Sequence, residues 1–204
     1  KGNGYMELFR YCDDFVVVCE SREDAEGFLV ALRERLSKFG LKVSEEKTRI
    51  VQFGRKAWQE SKSTGVKKHE SFNFLGFTHY CGTSRKGKFI VGHKTAKTNL
   101  SRKLKEINAW LKQVRSTVAL KSWWPVLQTK MIGHYNYFGI SGNMRCLRQF
   151  QHEVSNLTFK WINRRSQKKS MTLENYYKYL RPTLAEPRIY HNMYTLSPMR
   201  SVLC

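Results

Sequence analysis

The chain has 204 residues, with 37 Lys and Arg against 16 Asp and Glu, which gives a formal net charge of +21. Its 13% aromatic content is too high for a disordered tail, and no run approaches the roughly 20 apolar residues of a membrane span. The five cysteines are odd in number and form no C-x-x-C pair, which argues against a disulfide scaffold or a zinc knuckle. No secretory pattern opens the sequence. We therefore expect a basic globular protein of a reducing, cytoplasmic compartment.

The excess positive charge is confined to the later part of the chain. Residues 1–60 carry 11 basic and 11 acidic side chains, whereas residues 61–204 carry 26 basic and 5 acidic ones. An asymmetry of this size is typical of a surface that faces a polyanion, most often nucleic acid. The alternative is a basic surface that serves only solubility, but the many aromatic residues among the basic ones favour nucleic acid. A membrane surface is less favoured, because no single helix pattern combines a clean basic face with a wide apolar one.

The first fifty residues alternate between β-rich runs and one helical pattern. Two β-rich runs flank the short turn Cys12-Asp13-Asp14, which predicts a core hairpin. Ser21 then lies three residues before Asp24 in a capping-box-like helix start, and Gly40 ends the helical spacing. Two further strands are predicted around a polar turn at residues 44–47. In chain order, the predicted elements are strand 8–11, strand 15–19, a helix from about 21 to 39, strand 41–43 and strand 49–53.

The middle and later parts of the chain differ in their hydrophobic period. Residues 56–71 are polar and aperiodic, which predicts a surface loop, and a second hairpin follows, with its turn at residues 82–87. From about Thr95 the period is helical, with Pro125 in the first turn of the second helix. The predicted elements are strands 72–80 and 88–91, then helices at about 95–114, 125–138, 144–163 and 173–180. The fold class is therefore α+β, with a mixed domain at 1–94 and a basic helical domain at 95–204.

The adjacent aspartates Asp13 and Asp14 are the first chemical signal. Like charges this close repel each other unless a cation compensates them, and carboxylate oxygens suit hard divalent ions such as Mg²⁺. The simpler interpretation is an Asp-rich surface turn, because Asp is common in turns. The residues alone therefore leave a metal site and an ordinary turn open. His79 and Cys81 are two residues apart but have no matching ligand pair, so we expect no zinc site there.

Several motifs resemble those of one enzyme family. Tyr11-Cys12-Asp13-Asp14, followed by Phe15-Val16-Val17, resembles the Tyr-x-Asp-Asp palm motif of reverse transcriptases, although the nearest relatives usually have Ala where Cys12 stands. Residues 40–48 resemble the next block of that family, and Phe74-Leu75-Gly76-Phe77 resembles its primer grip. Residues 133–138 and 161–165 are similar to the thumb, or maturase, region of bacterial group II intron proteins. The motifs occur in the family's order over nearly the whole chain.

The resemblance implies a palm site that works with Mg²⁺ on an RNA template and a DNA primer. Asp13 and Asp14 would be catalytic metal ligands, in a two-metal site that activates the primer hydroxyl and stabilises the leaving pyrophosphate. Tyr11 and Cys12 would lie beside the primer end. Lys47 would face the nucleotide triphosphate. An ordinary solvated lysine in a turn explains this residue equally well. Phe74, Leu75, Gly76 and Phe77 would position the primer terminus, which is compatible with their being an ordinary strand.

The resemblance also implies RNA contacts in the helical part. Aromatic residues at helical spacing are usually core, so we expect Tyr135 and Phe138 to be buried and His134 and Tyr137 to contact RNA. The basic run after residue 163 is expected to bind phosphates, with salt-sensitive affinity and little base specificity. Its predicted contact residues are Arg164, Arg165, Lys168 and Lys169.

The third carboxylate of the family's palm site has no counterpart in this sequence. A reverse transcriptase palm uses a third carboxylate on an earlier strand. This chain has three aspartates in all, Asp13, Asp14 and Asp24, and helix capping explains Asp24. Glu7 is too close in sequence to replace it. We therefore expect a C-terminal palm and thumb that need an N-terminal fingers and palm part for activity. The alternatives are a non-catalytic RNA-binding maturase module and a reverse transcriptase of another system, such as a CRISPR-associated one.

Overall fold

Residues 4–63, 69–165 and 170–193 are described by a computed structural model. The chain divides into two units, Lys1–Gly92 and His93–Cys204. The first contains strands and two helices, and the second is mainly helical, so the predicted α+β class is confirmed.

The first unit begins with an antiparallel hairpin, as predicted. Strand β1 (Met6–Tyr11) pairs with β2 (Asp14–Cys19), and the last pair of the ladder is Tyr11 with Asp14. Helix α1 (Arg22–Ser37) follows directly, because the Ser21 hydroxyl accepts a hydrogen bond of 3.0 Å from the Asp24 backbone N–H. This is the predicted cap, and it satisfies a donor that the first helical turn leaves without a partner.

Residues 41–53 correct the sequence prediction. The predicted strands at 41–43 and 49–53 are wrong, because neither segment joins a ladder. The Gln52 backbone N–H donates a hydrogen bond to the Glu70 carboxylate instead, at 2.5 Å. A β-rich composition does not by itself supply the neighbouring strand that a strand requires. The turn between them is confirmed, since the Thr48 N–H donates to the Ser44 carbonyl at 2.9 Å.

The predicted loop at 56–71 is also wrong in its first half. Helix α2 (Arg55–Ser63) occupies it, and its one buried apolar side chain is Trp58, which is 9% exposed. The Trp58 ring packs near Phe89 with 5.5 Å between centroids. One anchor in nine residues produces no helical period, so the sequence pattern missed the helix.

A three-stranded sheet completes the first unit, in the order β3-β4-β5. Its strands are β3 (Ser71–Phe74), β4 (Phe77–Thr83) and β5 (Phe89–Thr95). The predicted single strand at 72–80 is therefore two strands, separated by a two-residue turn at Leu75 and Gly76. The hairpin between β4 and β5 is confirmed, with Gly87 in its turn at φ +77°.

Helices α3 (Lys97–Thr117), α4 (Leu120–Phe138) and α5 (Met144–Ile162) build the second unit and agree with the predicted period. Pro125 lies in the sixth position of α4 and not in its first turn, because the helix already begins at Leu120, with Trp123 buried in the core. The chain then forms α6 (Leu173–Asn175), a π-helical turn (Tyr176–Leu180) and a 3₁₀ turn (Arg181–Thr183). The shared core is Ile107, Leu111, Trp123, Leu127, Met131, Tyr135, Leu147, Phe150, Val154 and Tyr176.

Asn143 joins three elements of this unit. Its side chain is fully buried; its Oδ1 accepts from the Thr95 backbone N–H at 2.9 Å, and its Nδ2 donates to Thr95 Oγ1 and to the Phe138 carbonyl, each at 2.8 Å. All three bonds are short, and two of them pair the backbone N–H and the hydroxyl of the buried Thr95. Asn143 therefore fixes Thr95 and the end of α4 at the start of α5 within the second unit.

Candidate functional site

The turn of the β1–β2 hairpin brings four predicted site residues together. Tyr11 ends β1, Asp14 begins β2, and Cys12 and Asp13 form the two-residue loop between them. Cys12 has φ +53°, a left-handed conformation that costs a non-glycine residue about 1 kcal/mol. Positive φ at the first loop residue is the sign pattern of a type II′ turn, in which glycine is the usual residue. Cys12 therefore holds a strained conformation in the turn that places Asp13 and Asp14 at the hairpin tip.

The hairpin tip and strand β1 are exposed, whereas Val16 and Val17 of β2 are half-buried. Tyr11 is 63% exposed, and Leu8, Phe9 and Phe15 also present large apolar surfaces. Asp13 and Asp14 are exposed as well. The prediction of a core hairpin is therefore wrong for β1, because the sheet that contains it has two strands and each of its six side chains is exposed.

The carboxylate donors at this site suit a hard divalent cation but form a small set. Within residues 4–63, 69–165 and 170–193, no group of three His, Cys, Asp or Glu could hold a metal ion. Asp24 is occupied at the start of α1, where its carboxylate accepts from the Ser21 hydroxyl at 2.9 Å. Glu7 accepts from the Tyr5 hydroxyl at 2.7 Å and lies four residues before Tyr11, about 13 Å along the strand. Asp13 and Asp14 thus fit the ion chemically as a pair and need a further ligand from elsewhere.

The predicted primer-grip residues form the second tight turn of the first unit. Leu75 and Gly76 connect the paired residues Phe74 and Phe77, with φ of +48° and +80°. Positive φ at both loop residues is the type I′ pattern, which suits the right-handed twist of a hairpin. Leucine is not a usual residue for such a turn, so the sequence pattern missed it. Strand β2 contacts β3, so the two hairpins are neighbours within the unit.

Lys47 lies in the turn at residues 45–47 and its side chain is exposed. The neighbouring Glu45 pairs with Arg33 of α1 at 2.8 Å. The role of Lys47 towards a triphosphate stays a prediction.

His134 corrects one of the predicted RNA contacts. It is 5% exposed and its ring stacks on Phe150 with 3.8 Å between centroids. Burial, with a smaller effect of Lys103, lowers the pKa of His134 to about 4. The prediction that His134 contacts RNA is therefore wrong, because the side chain lies in the helical core. Its position three residues after Met131 on the buried face of α4 was the sequence signal for this.

The other aromatic residues of α4 differ in exposure. Tyr135 is fully buried as predicted, and its hydroxyl donates to the Ala185 carbonyl at 3.2 Å. Phe138 is half-buried and packs against the same core. Tyr137 is 55% exposed, and its contact with RNA stays a prediction.

The predicted phosphate-binding residues lie just after α5. Arg164 and Arg165 are exposed, whereas Lys168 and Lys169 fall outside the described residues. Arg164 approaches the ring of Trp161, and two cations that the sequence pattern did not select, Arg115 and Lys160, approach the same ring. Arg115 belongs to α3, and only the packing of α3 on α5 brings it there.

Comparison with known proteins places the hairpin site in a family context. Residues 5–79 match the family model described as reverse transcriptase (RNA-dependent DNA polymerase). The match includes the Tyr11–Asp14 turn and the Phe74–Phe77 turn, and it stops before the helical unit. No curated protein matches the chain. Within the described ranges, none of the helices combines the length and the apolar character that crossing a bilayer requires.

Residues 5–79 are therefore similar to enzymes that synthesise DNA on an RNA template, and nucleic acids are the substrates that this family implies. The matched residues include the candidate carboxylate site and none of the helical unit.

Proposed function

We propose that the chain is the C-terminal palm and the thumb of a reverse transcriptase and maturase related to bacterial group II intron proteins. The observation that carries the proposal is the Tyr11-Cys12-Asp13-Asp14 turn, which lies at a hairpin tip inside the segment similar to reverse transcriptases. Residues 1–94 are the palm part and residues 95–204 the thumb. The protein acts on intron RNA and a DNA primer in the bacterial cytoplasm, in association with ribonucleoprotein or nucleoid.

The chain's own residues divide the work at the palm site. Asp13 and Asp14 hold Mg²⁺, which supplies charge stabilisation for transfer of a nucleotide to the primer. Tyr11 and Cys12 contact the primer end beside them, and the strained Cys12 backbone shapes the turn that contains Asp13 and precedes Asp14. Phe74, Leu75, Gly76 and Phe77 position the primer terminus, and Lys47 attracts the triphosphate.

Activity requires a further part of the polymerase. Two carboxylates alone do not complete the metal site, and Asp24 and Glu7 are engaged elsewhere. The exposed apolar faces of β1 and β2 are the surface that such a part would cover, because patches of this kind mark an interaction site. An N-terminal fingers and palm segment supplies the third carboxylate and the nucleotide pocket. This chain alone should not extend a primer.

The test is primer extension by the polymerase that contains this chain together with its N-terminal part. Asp13→Asn should reduce single-turnover DNA synthesis by orders of magnitude, because Asp13 would hold a metal ion that would stabilise the charge developed during nucleotide transfer. Asp24→Asn, with the same change in charge, should retain synthesis. RNA affinity should stay unchanged in both variants, since the aspartates do not carry the binding.

A second candidate function is a non-catalytic RNA-binding maturase module, in which Asp13 and Asp14 have lost their role. The small carboxylate set favours it. If Asp13→Asn extends primers as well as the parent protein does, Asp13 is not a catalytic metal ligand. If the completed protein binds RNA without ever extending a primer, this candidate replaces the polymerase. A CRISPR-associated reverse transcriptase has the same chemistry, and the RNA that co-purifies with the protein distinguishes it.

A further inference from the structure

Three cations surround a single indole at one end of the helical unit. The guanidinium of Arg115 lies 4.7 Å from the Trp161 ring centroid, the ammonium of Lys160 5.1 Å and the guanidinium of Arg164 5.7 Å. We call these four residues the Trp161 cluster. Arg115 comes from the last turn of α3, and the other three come from the end of α5 and the residues just after it.

The cluster is held in place from inside the unit. Trp161 is 6% exposed, and its Nε1–H donates to Asn108 Oδ1 at 2.8 Å. Arg115 donates from Nη1 to the Arg164 carbonyl at 2.8 Å and so caps the end of α5. The indole and one guanidinium are therefore preorganised, while Lys160 and Arg164 are exposed.

Structural roles do not account for the whole arrangement. Each cation–π contact at an exposed site is weakly stabilising, but three like charges around one ring repel one another. Among the described residues, no ion pair joins Arg115, Lys160 or Arg164 to a carboxylate. The Nε of Arg115 is also buried without a hydrogen-bond acceptor in that part of the chain. The cluster therefore has unneutralised charge and a free donor.

A neighbouring groove helps to define what the cluster binds. An open groove of about 370 Å³ lies between α3 and α5, and its polar lining includes Lys97, Lys105, Asn108, Gln149 and Glu153. Because Asn108 also holds the Trp161 indole, the groove ends next to the cluster. The groove has charges of both signs, owing to Glu153, whereas the cluster has cations only. An anion is therefore favoured at the cluster and not along the groove.

We infer that the Trp161 cluster binds phosphodiester groups of a nucleic-acid backbone. Guanidinium and ammonium groups are the side chains that contact backbone phosphates, and such contacts position a nucleic acid without reading its sequence. The inference rests on the proposed function, because it names the residues through which the helical unit holds its RNA. It adds Arg115 and Lys160, with Trp161 as the positioning residue, to the predicted run after α5.

The test compares two double variants of the whole chain, each of which removes two positive charges from α5 or its end. Lys160→Gln with Arg164→Gln changes the cluster. Arg145→Gln with Arg148→Gln changes exposed residues near the start of the same helix, about 18 to 22 Å from Lys160 along the helix axis. The probes are two short RNA duplexes of different sequence, titrated over a range of salt concentrations. Thermal unfolding followed by tryptophan fluorescence checks the fold of each variant.

The cluster pair should weaken binding to both duplexes and reduce the slope of log K against log salt by about one unit for each lost phosphate contact. The control pair should change the slope less. Equal losses in the two pairs would overturn the inference and leave the proposed RNA binding intact. A loss on one duplex only would indicate base contacts instead. If the parent chain binds neither duplex, the RNA-binding part of the proposed function fails as well.

Discussion

His134 has an ionisable ring in the middle of α4, where it is stacked on Phe150 and shielded from water. Its Nε2 has no hydrogen-bond partner within the described ranges. A charged imidazole in this position would lose its hydration and gain no counter-charge, which is why the pKa falls to about 4. His134 is therefore neutral at physiological pH and acts as a flat packing residue.

The lowered pKa of His134 predicts acid sensitivity of the helical unit. The unfolded chain binds a proton near pH 6.5 and the folded unit near pH 4, so the stability is fully present above about pH 6.5 and decreases as the pH falls towards 4. From about pH 7 to about pH 5 the free energy of unfolding should decrease by about 2 kcal/mol through this group. Urea unfolding followed by tryptophan fluorescence measures this, since Trp110, Trp123, Trp124 and Trp161 belong to this unit.

The His134→Leu variant is the control for this prediction. Leucine keeps the residue apolar and cannot take up a proton, so it should remove most of the difference between the two pH values. A variant that loses stability on acidification as steeply as the parent chain would show that His134 is not the cause, and would point to a group such as His93, whose pKa is also lowered by burial.

At the scale of elements, two glycines of one helix differ in their surroundings. Gly133 lies inside α4, and a Cβ built there meets no atom within 4 Å. Gly139 ends the helix, and a Cβ there would press on the Tyr135 carbonyl and lie 2.7 Å from the Arg188 carbonyl. The Gly139 carbonyl also accepts from the Tyr190 N–H at 2.7 Å, so the segment after the 3₁₀ turn packs directly on it.

The two glycines should therefore respond in opposite ways to alanine. Gly133→Ala should stabilise the helical unit by up to about 1 kcal/mol, because alanine is the better helix former. Gly139→Ala should destabilise it by roughly 2 kcal/mol or more, because two backbone carbonyls would have to move. Urea unfolding of both variants checks the prediction. Stabilisation by Gly139→Ala would show that the segment near Arg188 does not pack as described.

The accuracy of the sequence prediction also varies by element. Helices α3 and α5 have long apolar stripes, and such stripes predict a buried face with little ambiguity. Strands depend on a partner that composition does not reveal, which is why residues 41–43 and 49–53 form none. The Leu75 turn was missed because its conformation is imposed by the pairing of Phe74 with Phe77 and not by a typical turn residue.

At the scale of the whole molecule, the charge is distributed unequally between the earlier and the later part of the chain. Residues 1–60 are neutral in sum, while 26 of the 37 basic residues follow them. In the described part of the second unit, one carboxylate, Glu106, is shared between Arg102 and Lys103. Most of the positive charge is thus available for an external polyanion.

RNA binding by the chain should therefore depend steeply on salt. Log K should fall linearly as log salt rises, with a slope that reports several released counterions. Arg22→Gln serves as the control, because Arg22 lies in the neutral part and pairs with Glu26, and it should leave the slope unchanged. A flat plot for the parent chain would contradict the polyanion argument. Filter binding or fluorescence anisotropy at several salt concentrations measures both.

The two candidate sites differ in how far the sequence could predict them. The carboxylate site is local, because the strands around Cys12 and Asp13 are contiguous and their hairpin follows from two β-rich runs. The Trp161 cluster combines Arg115 with residues almost fifty positions later, and only the packing of α3 on α5 brings them together. Arg164 was predicted from its basic run, whereas Arg115 had no local signal.

The uncovered β1–β2 hairpin has a practical consequence for anyone who prepares this chain. Its outer strand presents unpaired backbone groups, and Leu8, Phe9 and Tyr11 are exposed beside them. Edge strands of this kind pair with other copies and promote aggregation. At high protein concentration the chain expressed by itself should therefore elute in part as large species despite its high charge. If the proposed function holds, co-expression with the N-terminal fingers and palm part should give a monodisperse preparation.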